Sequence, residues 1–323
     1  MKRSIIWCVL LTLCFLCGCS GNNAGQTTNR PSTPETLPEQ NVPMTSFPSN
    51  SGGTYKAPPF ADAVFHETDE VDGIKLDLSA TAEGYVAVSA KAEVKLKMQI
   101  KKDELTYTYN IASDGTPSIF PLQCGNGLYV FSVYENVTEK KFALKYSAEA
   151  EVVLADEFQP FLRPSDYVDY SESSACVKKA AELAEKAATE LDVVREVFQY
   201  ICDNVRYDKE KADKVEKGEL PGYLPDPDET MSTGKGICFD YASLAAAMLR
   251  SQGIPTRVIF GYVSPNDLYH AWNMFYTDET GWVTVEYMVS EDTWNRLDLT
   301  FSANGADDTF VGDGGNYTDV FIY

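Results

Sequence analysis

The sequence predicts an α+β protein in which an antiparallel β-sandwich is followed by a domain with one helix packed on a second antiparallel sheet. Two patterns indicate this order. Apolar and polar residues alternate between Ala61 and Leu154, whereas the spacing typical of helices begins near Val177. After Gly234 one short helical segment is followed by several apolar segments of strand length. A helix that precedes antiparallel strands is typical of an α+β layer.

The alternation in the first half has period two, which is typical of half-buried strands. It is clearest at Val94, Leu96, Met98 and Ile100 and again from Phe142 to Ala148. Asp114-Gly115 and Asn126-Gly127 separate such runs, and both pairs tolerate the positive φ of tight turns. We interpret residues 60–157 as a β-sandwich whose default role is binding or spacing. Its one histidine, His66, is interpreted as a residue on a strand surface and not as a ligand.

The second half, residues 158–323, begins with a helical pattern from Val177 to Asn204, with Ser173 or Ser174 as its cap. A charged loop is expected from Asp208 to Pro227. The next helix opens around Cys238 and is stopped by Gly253 and Pro255. Four strands are expected after it, at residues 256–262, 270–276, 282–287 and 294–300.

The first residues predict export. Met1-Lys2-Arg3 precedes an apolar run from Ile5 to Cys17 that is too short to span a bilayer, which is typical of a secretory signal. Leu16-Cys17-Gly18-Cys19 resembles a bacterial lipobox, in which the last cysteine becomes the lipidated first residue. We therefore expect a signal at 1–18, lipidation of Cys19 and a flexible tether at 19–59, with ordinary secretion as the alternative.

The formal net charge of −21 argues against partners of like charge. Nucleic acid and anionic lipid would both be repelled, so we expect no nucleic-acid partner and a membrane contact through the N-terminal lipid alone. A protein or peptide substrate fits an exported chain. Composition leaves the oligomeric state open.

No cofactor, metal or disulfide framework is expected. Four of the eight cysteines precede Ser20, and a continuous helix would separate Cys176 from Cys202 by about 39 Å. Two histidines in the whole chain argue against a His-rich zinc site. Three late acids could hold Ca²⁺ but lack EF-hand spacing, so a solvated loop is preferred there; they are Asp307, Asp308 and Asp313.

Cys238 is the strongest candidate for chemistry. It lies in the first turn of a predicted buried helix, where backbone N–H groups and the helix dipole stabilise a thiolate. The same N–H groups could hold an oxyanion. A small core cysteine is the alternative, and it would be preferred for an isolated cysteine. The elements that follow favour chemistry, because His270 begins one strand and acids lie on its neighbours.

These residues resemble the transglutaminase-like superfamily, relatives of the papain-type thiol enzymes. The resemblance covers roughly residues 192–323 and rests on motifs within 234–301. The matching residues are Gly236, Cys238, Tyr241 and Ala242, then Gly253-Ile254-Pro255, then His270-Ala271-Trp272-Asn273, and finally Trp294, Asp298 and Thr300. The first two groups belong to one motif, the helix and its end. Three motifs in the right order make a specific signal.

The resemblance implies a catalytic triad of Cys238, His270 and Asp298 that performs thiol-based acyl transfer. Leu299 departs from the family, which often has proline after the acid, and Glu286 is a second candidate acid because Trp282 precedes it with the same spacing. We favour Asp298, since Thr300-Phe301 follows it. Cross-linking, peptidase or amidase action all use these residues. A surface binding protein that has lost activity is the alternative of another class.

Overall fold

The computed structural model describes residues 54–138, 141–263, 268–278, 280–284, 286–290, 293–296 and 317–323. The expectations for the signal, Cys19, the tether up to residue 53, Asp298 and the late acidic loop fall outside these residues. None of the helices in the described part is both long and apolar enough to span a membrane.

The first half of the described chain contains eight strands: β1 (Glu70–Val71), β2 (Ile74–Asp77), β3 (Tyr85–Ala90), β4 (Leu96–Lys102), β5 (Leu105–Ile111), β6 (Ser118–Pro121), β7 (Gly127–Thr138) and β8 (Lys141–Val152). They form two antiparallel sheets with the strand orders β1-β2-β3-β6 and β5-β4-β7-β8. The antiparallel β-structure predicted for this half is confirmed.

The alternating apolar residues of β4 are buried as predicted, at Leu96, Met98 and Ile100. Leu144 of β8 is instead 59% exposed, so its predicted burial is wrong. The reason is a register shift in the β7–β8 pair, where Val133 faces Tyr146 but Tyr134 faces Leu144. Lys145 is the extra residue on β8, and it moves the side chains that precede it, including Leu144, to the other face of the sheet.

The described residues of the second half form five α-helices and eight more strands. The helices are α1 (Ala175–Ala184), α2 (Glu190–Asn204), α3 (Lys209–Glu216), α4 (Pro227–Thr233) and α5 (Cys238–Ser251). The strands are β9 (Arg206–Tyr207), β10 (Lys235–Gly236), β11 (Thr256–Val263), β12 (Leu268–Thr277), β13 (Gly281–Thr284), β14 (Glu286–Ser290), β15 (Thr293–Arg296) and β16 (Tyr317–Ile322). The main sheet has the order β13-β12-β11-β16 and is antiparallel.

The prediction of a single helix from Val177 to Asn204 is wrong, because the helical structure is interrupted between α1 and α2. Thr189 caps α2, and its side chain accepts from the backbone N–H of Asp192 while the Asp192 carboxylate accepts from the N–H of Thr189. Cys176 and Cys202 therefore lie on different helices, and both are free thiols. The charged loop predicted after Asp208 contains α3, with Asp208 as its cap.

Ser174 is the N-cap residue of α1, as predicted, but its side chain does not cap the helix. The Asp228 carboxylate of α4 accepts from the backbone N–H groups of Ala175 at 2.9 Å and of Cys176 at 2.8 Å. A negative charge at a helix N-terminus satisfies free N–H groups and complements the helix dipole. This contact joins α1 to α4, and α4 leads directly into the strand before α5.

One apolar core extends through both halves. It includes Phe131 from the first two sheets, Phe198 from α2 and Leu244 from α5. Tyr167, in the segment that joins the halves, packs its ring against Tyr109 of β5 at 5.6 Å and against Phe239 of α5 at 5.4 Å, measured between ring centroids. The β-structure therefore packs directly against the helix that carries Cys238.

Candidate active site

Helix α5 starts at Cys238, in the position that the sequence predicts. Ile237 is the N-cap residue with extended backbone angles, and every residue from Asp240 to Ser251 is buried. Cys238 itself is half-buried, so its thiol lies at the boundary between the core and solvent. The helix ends before Gly253, whose φ of 79° suits a residue without a β-carbon. Cys238 and Phe239 are both half-buried, and the rest of the helix is buried. Partial exposure at a helix N-terminus is one feature of reactive thiols.

Asp240 is a buried residue of this turn that the sequence analysis missed. Its carboxylate accepts from the backbone N–H of Ile237 at 2.7 Å and from the Lys211 ammonium at 3.3 Å, and it also accepts from the Tyr223 hydroxyl. Burial and the Asp240 carboxylate together raise the pKa of Tyr223 well above its ordinary value, so this hydroxyl stays a donor. Three donors around one carboxylate explain how a charged group is held inside the core.

This carboxylate fixes the start of α5 from three directions. Lys211 belongs to α3 and Tyr223 to the loop before α4, so both are tied to the turn that carries Cys238. Gly236 lies so close that an added β-carbon would be 2.6 Å from the Asp240 β-carbon. Only glycine therefore fits two residues before Cys238 without displacing the carboxylate.

His270 lies on β12 and is buried, with 4% of its surface exposed. The same strand contacts the first turns of α5. The Asn273 side-chain amide donates to the Ala242 carbonyl of α5 at 3.0 Å and to the Arg257 carbonyl of β11 at 3.2 Å. Buried hydrogen bonds of this kind fix the position of a strand relative to a helix.

Cys238 and His270 lie at the same end of the α5–β12 pair. The ring of Phe239 packs against that of Phe260 at 4.8 Å between centroids, and Phe260 pairs with Ala271 in the β11–β12 register. The residue after Cys238 therefore contacts the residue opposite the one after His270. At the other end of the pair, the Arg250 side chain donates to the Thr256 carbonyl at 2.9 Å.

The two faces of β12 have different roles. Ala271 and Phe275 join the core that contains α5, whereas Trp272 joins a separate cluster with Ile259. Alternation gives His270 the face of Trp272. Among the described residues β13 pairs with β12 only from Met274 onward, so His270 lies on a stretch hydrogen-bonded to β11 alone. By this alternation, the face of β12 that carries His270 is opposite to the face that packs against α5.

The other predicted site residues stand apart from α5 or outside the described residues. His66 precedes β1, so its predicted position on a strand is wrong, and its Nδ1 lies 3.1 Å from the Asp77 carboxylate. Its imidazole is 58% exposed. Glu286 is the first residue of β14, which pairs with β15 through Arg296. Asp298 and Cys19 lie outside the described residues. Among the described residues, no group of acids, histidines and cysteines could hold a metal ion.

A comparison with protein families matches part of the chain. Residues 177–287 match the model described as the transglutaminase-like superfamily. The chain contains a transglutaminase-like domain. The matched part of that domain includes α5, β12, Cys238 and His270. It also includes Glu286 and ends before Asp298.

Two curated proteins are similar to this chain over part of its length. The UPF0252 protein MJ1282 of Methanocaldococcus jannaschii is 34% identical over 62 residues, which cover 19% of this chain and 18% of that protein. The mouse kyphoscoliosis peptidase is 26% identical over 163 residues, which cover 46% of this chain and 22% of the peptidase. The matches thus span about a fifth of either relative.

Solved structures are also similar to parts of the chain. One is the structure of a protein from Cytophaga hutchinsonii that is described as a cysteine protease. It is 16% identical, the match covers 74% of this chain and 79% of that protein, and the TM-score is 0.37. A transglutaminase structure is 23% identical, covers 39% of this chain and 30% of its own, and has a TM-score of 0.28.

Proposed function

We propose that this chain is a thiol acyl-transfer enzyme that acts on carboxamide or peptide bonds outside the cytoplasm. The observation that supports it most is the start of α5. Cys238 is half-buried at the first residue of a helix that is buried from Asp240 onward, and the first turn packs beside the strand of His270. A core cysteine would have no need of such a position. A nucleophile requires it.

In the proposed reaction, the Cys238 thiolate attacks the carbonyl carbon and forms a carbon–sulfur bond. Free N–H groups of the first turn of α5 stabilise the oxyanion. The carbon–nitrogen bond then breaks, and the His270 imidazolium gives its proton to the departing amine. A thioester remains. Water or a second amine attacks the thioester, His270 takes the proton from the attacking group, and the thiolate leaves unchanged.

The third residue of the triad would orient the His270 imidazole. Spacing and the following Thr300-Phe301 favour Asp298, and Glu286, which lies within the matched residues 177–287, is the second candidate. The variants D298N and E286Q separate the two. Loss of the orienting acid should lower kcat by about 10²–10⁴-fold, and loss of the other should leave kcat within about threefold. If neither variant loses activity, the proposed enzyme has no carboxylate in its triad.

The outcome of the reaction is tested with glutamine-containing peptides. The full chain is incubated with them in the presence and absence of a primary amine, and the products are analysed by mass. An amine adduct indicates cross-linking, a mass increase of one unit indicates deamidation, and shorter peptides indicate peptidase action. The C238A variant is the control. Products that persist in C238A, or an inert mixture with the parent chain, would contradict the proposal.

A catalytically silent binding protein is the second candidate, favoured by the size of the two-sheet half. Thiol alkylation by iodoacetamide distinguishes the two. An activated Cys238 should react well below pH 8. Burial raises the pKa of Cys124 to about 11 and that of Cys176 even further, so these thiols should stay unmodified. Equal labelling of Cys124, Cys176, Cys202 and Cys238 would favour the binding protein.

Export and lipidation of Cys19 remain part of the proposal. They are tested by expressing the chain in a bacterium with the C19A variant and, as a matched control, C17A. The parent chain and C17A should fractionate with the membrane and incorporate labelled fatty acid, whereas C19A should not. Incorporation that persists in C19A would exclude Cys19 as the anchor.

A further inference from the structure

A small cleft of about 70 Å³ lies where the two halves of the chain meet, and no step of the proposed reaction uses it. Three elements form its walls: β5, the segment that joins the halves, and the loop between α3 and α4. The lining residues are Asn110, Asp166, Tyr167, Gly222, Tyr223 and Leu224. Gly222 approaches β5 so closely that an added β-carbon would lie 3.0 Å from the Asn110 amide nitrogen.

The cleft adjoins the turn that carries Cys238. Tyr223 donates its hydroxyl to Asp240, two residues after Cys238. Tyr167 packs its ring against Phe239, the residue directly after Cys238. Two of the six lining residues therefore contact the first turn of α5. A side chain bound in this cleft would lie beside the turn that carries the candidate nucleophile.

The chemistry of the lining suits a cation. Asp166 provides a carboxylate, Tyr167 and Tyr223 provide aromatic rings, and Asn110 provides an amide. Carboxylates and ring faces both bind ammonium and guanidinium groups. None of the six lining residues is positively charged. Lys211 lies over the Tyr223 ring at 5.1 Å, and its ammonium donates to the Tyr223 hydroxyl at 3.0 Å and to Asp240 at 3.3 Å, so the free counter-charge in the lining is Asp166.

The Asp166 carboxylate is held in place and has capacity for a further partner. The carboxylate accepts from the Ile119 backbone N–H at 2.7 Å and is hydrogen-bonded to the Ser118 side chain, which leaves lone pairs for one more donor. None of the ion pairs between described residues involves Asp166. Burial accordingly raises the pKa of Asp166 to about 6. A negative charge at neutral pH is thus partly removed from water, and a bound cation would offset that cost.

We propose that this cleft is a subsite for a lysine or arginine side chain of the substrate, with Asp166 as its counter-charge. This inference rests on the proposed function, because it gives that function a substrate class: peptides or proteins with a cationic residue at a fixed distance from the attacked carboxamide. It also assigns a role to the β-structure, since β5 forms one wall of the subsite.

Binding to the full-length C238A variant tests this inference without turnover. The probes are short glutamine peptides in which lysine is moved through each position around the glutamine, and each is paired with a norleucine peptide of equal length. At one position lysine should bind about tenfold more tightly than norleucine, as expected for one charge-assisted contact. Equal binding of both peptides at every position would overturn the subsite.

Two carboxylate variants decide whether Asp166 is responsible. D166N keeps an oxygen for the Ile119 N–H and should reduce the lysine preference to less than about twofold. D169N changes the net charge equally at an exposed position outside the lining, and it should leave the preference unchanged. If D169N loses as much as D166N, the preference reflects general charge and the subsite is excluded.

A third variant and a separate measurement complete the design. L224W fills the cleft from an exposed position, 42% exposed for Leu224, so it should abolish the lysine preference even if D166N folds poorly. Alkylation of Cys238 in the parent chain reports on the proposed function independently. Activated Cys238 with no lysine preference overturns the subsite alone. Lysine preference with an inert Cys238 overturns the enzyme and leaves a peptide-binding cleft.

Discussion

The two histidines of this chain lie in regions with opposite physical character. His66 is exposed beside β2, in a half of the chain where β4 alternates buried and exposed side chains. His270 is buried on β12, next to α5, in which every residue from Asp240 to Ser251 is buried. Around that helix even charged groups are buried and bonded, as Asp240 and Arg250 show. The difference teaches that polar groups in the second region are fixed in position, because a misplaced buried donor or acceptor costs free energy.

The largest expected effect is on activity and compares the histidines directly. H270A should lower kcat/KM by about 10³-fold or more, because the proposed proton carrier is lost. H66A should leave kcat/KM within about twofold, since its imidazole lies in the other half. The measurement is the initial rate on the glutamine peptide that the product analysis identifies. Similar losses in both variants would remove the functional difference between the two regions.

The next effect is on stability and concerns a buried cation. Arg250 of α5 donates to three backbone carbonyls: Thr256 at 2.9 Å, Arg163 at 2.8 Å and Tyr323 at 3.2 Å. R250M would remove all three hydrogen bonds, although the Tyr323 carbonyl still accepts from the Val258 N–H, so we expect the free energy of unfolding to fall by about 3–5 kcal/mol.

Arg195 provides the matched control for this substitution. Its side chain is 53% exposed and pairs with Asp192 within one turn of α2. R195M should change the free energy of unfolding by less than about 1 kcal/mol, because exposed ion pairs contribute little. Urea unfolding of both variants measures the difference. Equal shifts would show that α5 tolerates the loss of buried bonds as well as a surface helix does.

Local patterns were sufficient to predict β4, α5 and β11. Alternation at Leu96, Met98 and Ile100 and the stop at Gly253 are signals within a few residues of the element that they define. The break between α1 and α2 was missed because the alanine and lysine residues before Ala188 favour a helix. The capping box of Thr189 and Asp192 ends that pattern. Local signals thus predict the existence of elements better than their boundaries.

The candidate site was only partly predictable, for a physical reason. Cys238 and His270 stand out by residue type and motif, so their positions at the start of α5 and on β12 were expected. Asp240 was missed because an acid in the first turn of a helix normally indicates an exposed cap. Its burial depends on Lys211 and Tyr223, which approach from other elements. Tertiary contacts of this kind leave no periodic signal in the sequence.

A smaller effect is expected from the cap of α1, which also sharpens the contrast between cap and core. Burial opposes ionisation of Asp228, but hydrogen bonds from the Cys176 and Ala175 N–H groups outweigh it and lower its pKa. D228N should reduce the free energy of unfolding by about 1–2 kcal/mol at pH 7. A lowered folded-state pKa means that this contribution is present above the unfolded pKa, about 3.9, and is lost as pH falls through the folded value.

Urea unfolding of the parent chain and D228N at pH 7 and at acid pH tests this sign. The difference between the two chains should shrink as pH falls below about 4 and should vanish once Asp228 is protonated. A difference that stays constant with pH would mean that the amide is a poor cap for steric reasons and that charge has no part in it.

The smallest expected effect concerns the bond between the α3–α4 loop and the start of α5. Y223F removes the hydroxyl that donates to Asp240 and accepts from Lys211 at 3.0 Å, while Lys211 and the Ile237 N–H still bind the carboxylate. We expect a loss of about 1 kcal/mol in the free energy of unfolding, because both partners of the lost hydroxyl remain bonded to each other. Y134F, on β7 in the other half, is the control and should lose less than about 0.5 kcal/mol.

The rate of Cys238 alkylation adds a local measure, because loosening of this turn changes the exposure of the thiol before it unfolds the chain. If Y223F alters neither stability nor alkylation, the loop does not hold the first turn of α5, and the buried region around Cys238 is less firmly fixed than its hydrogen bonds indicate.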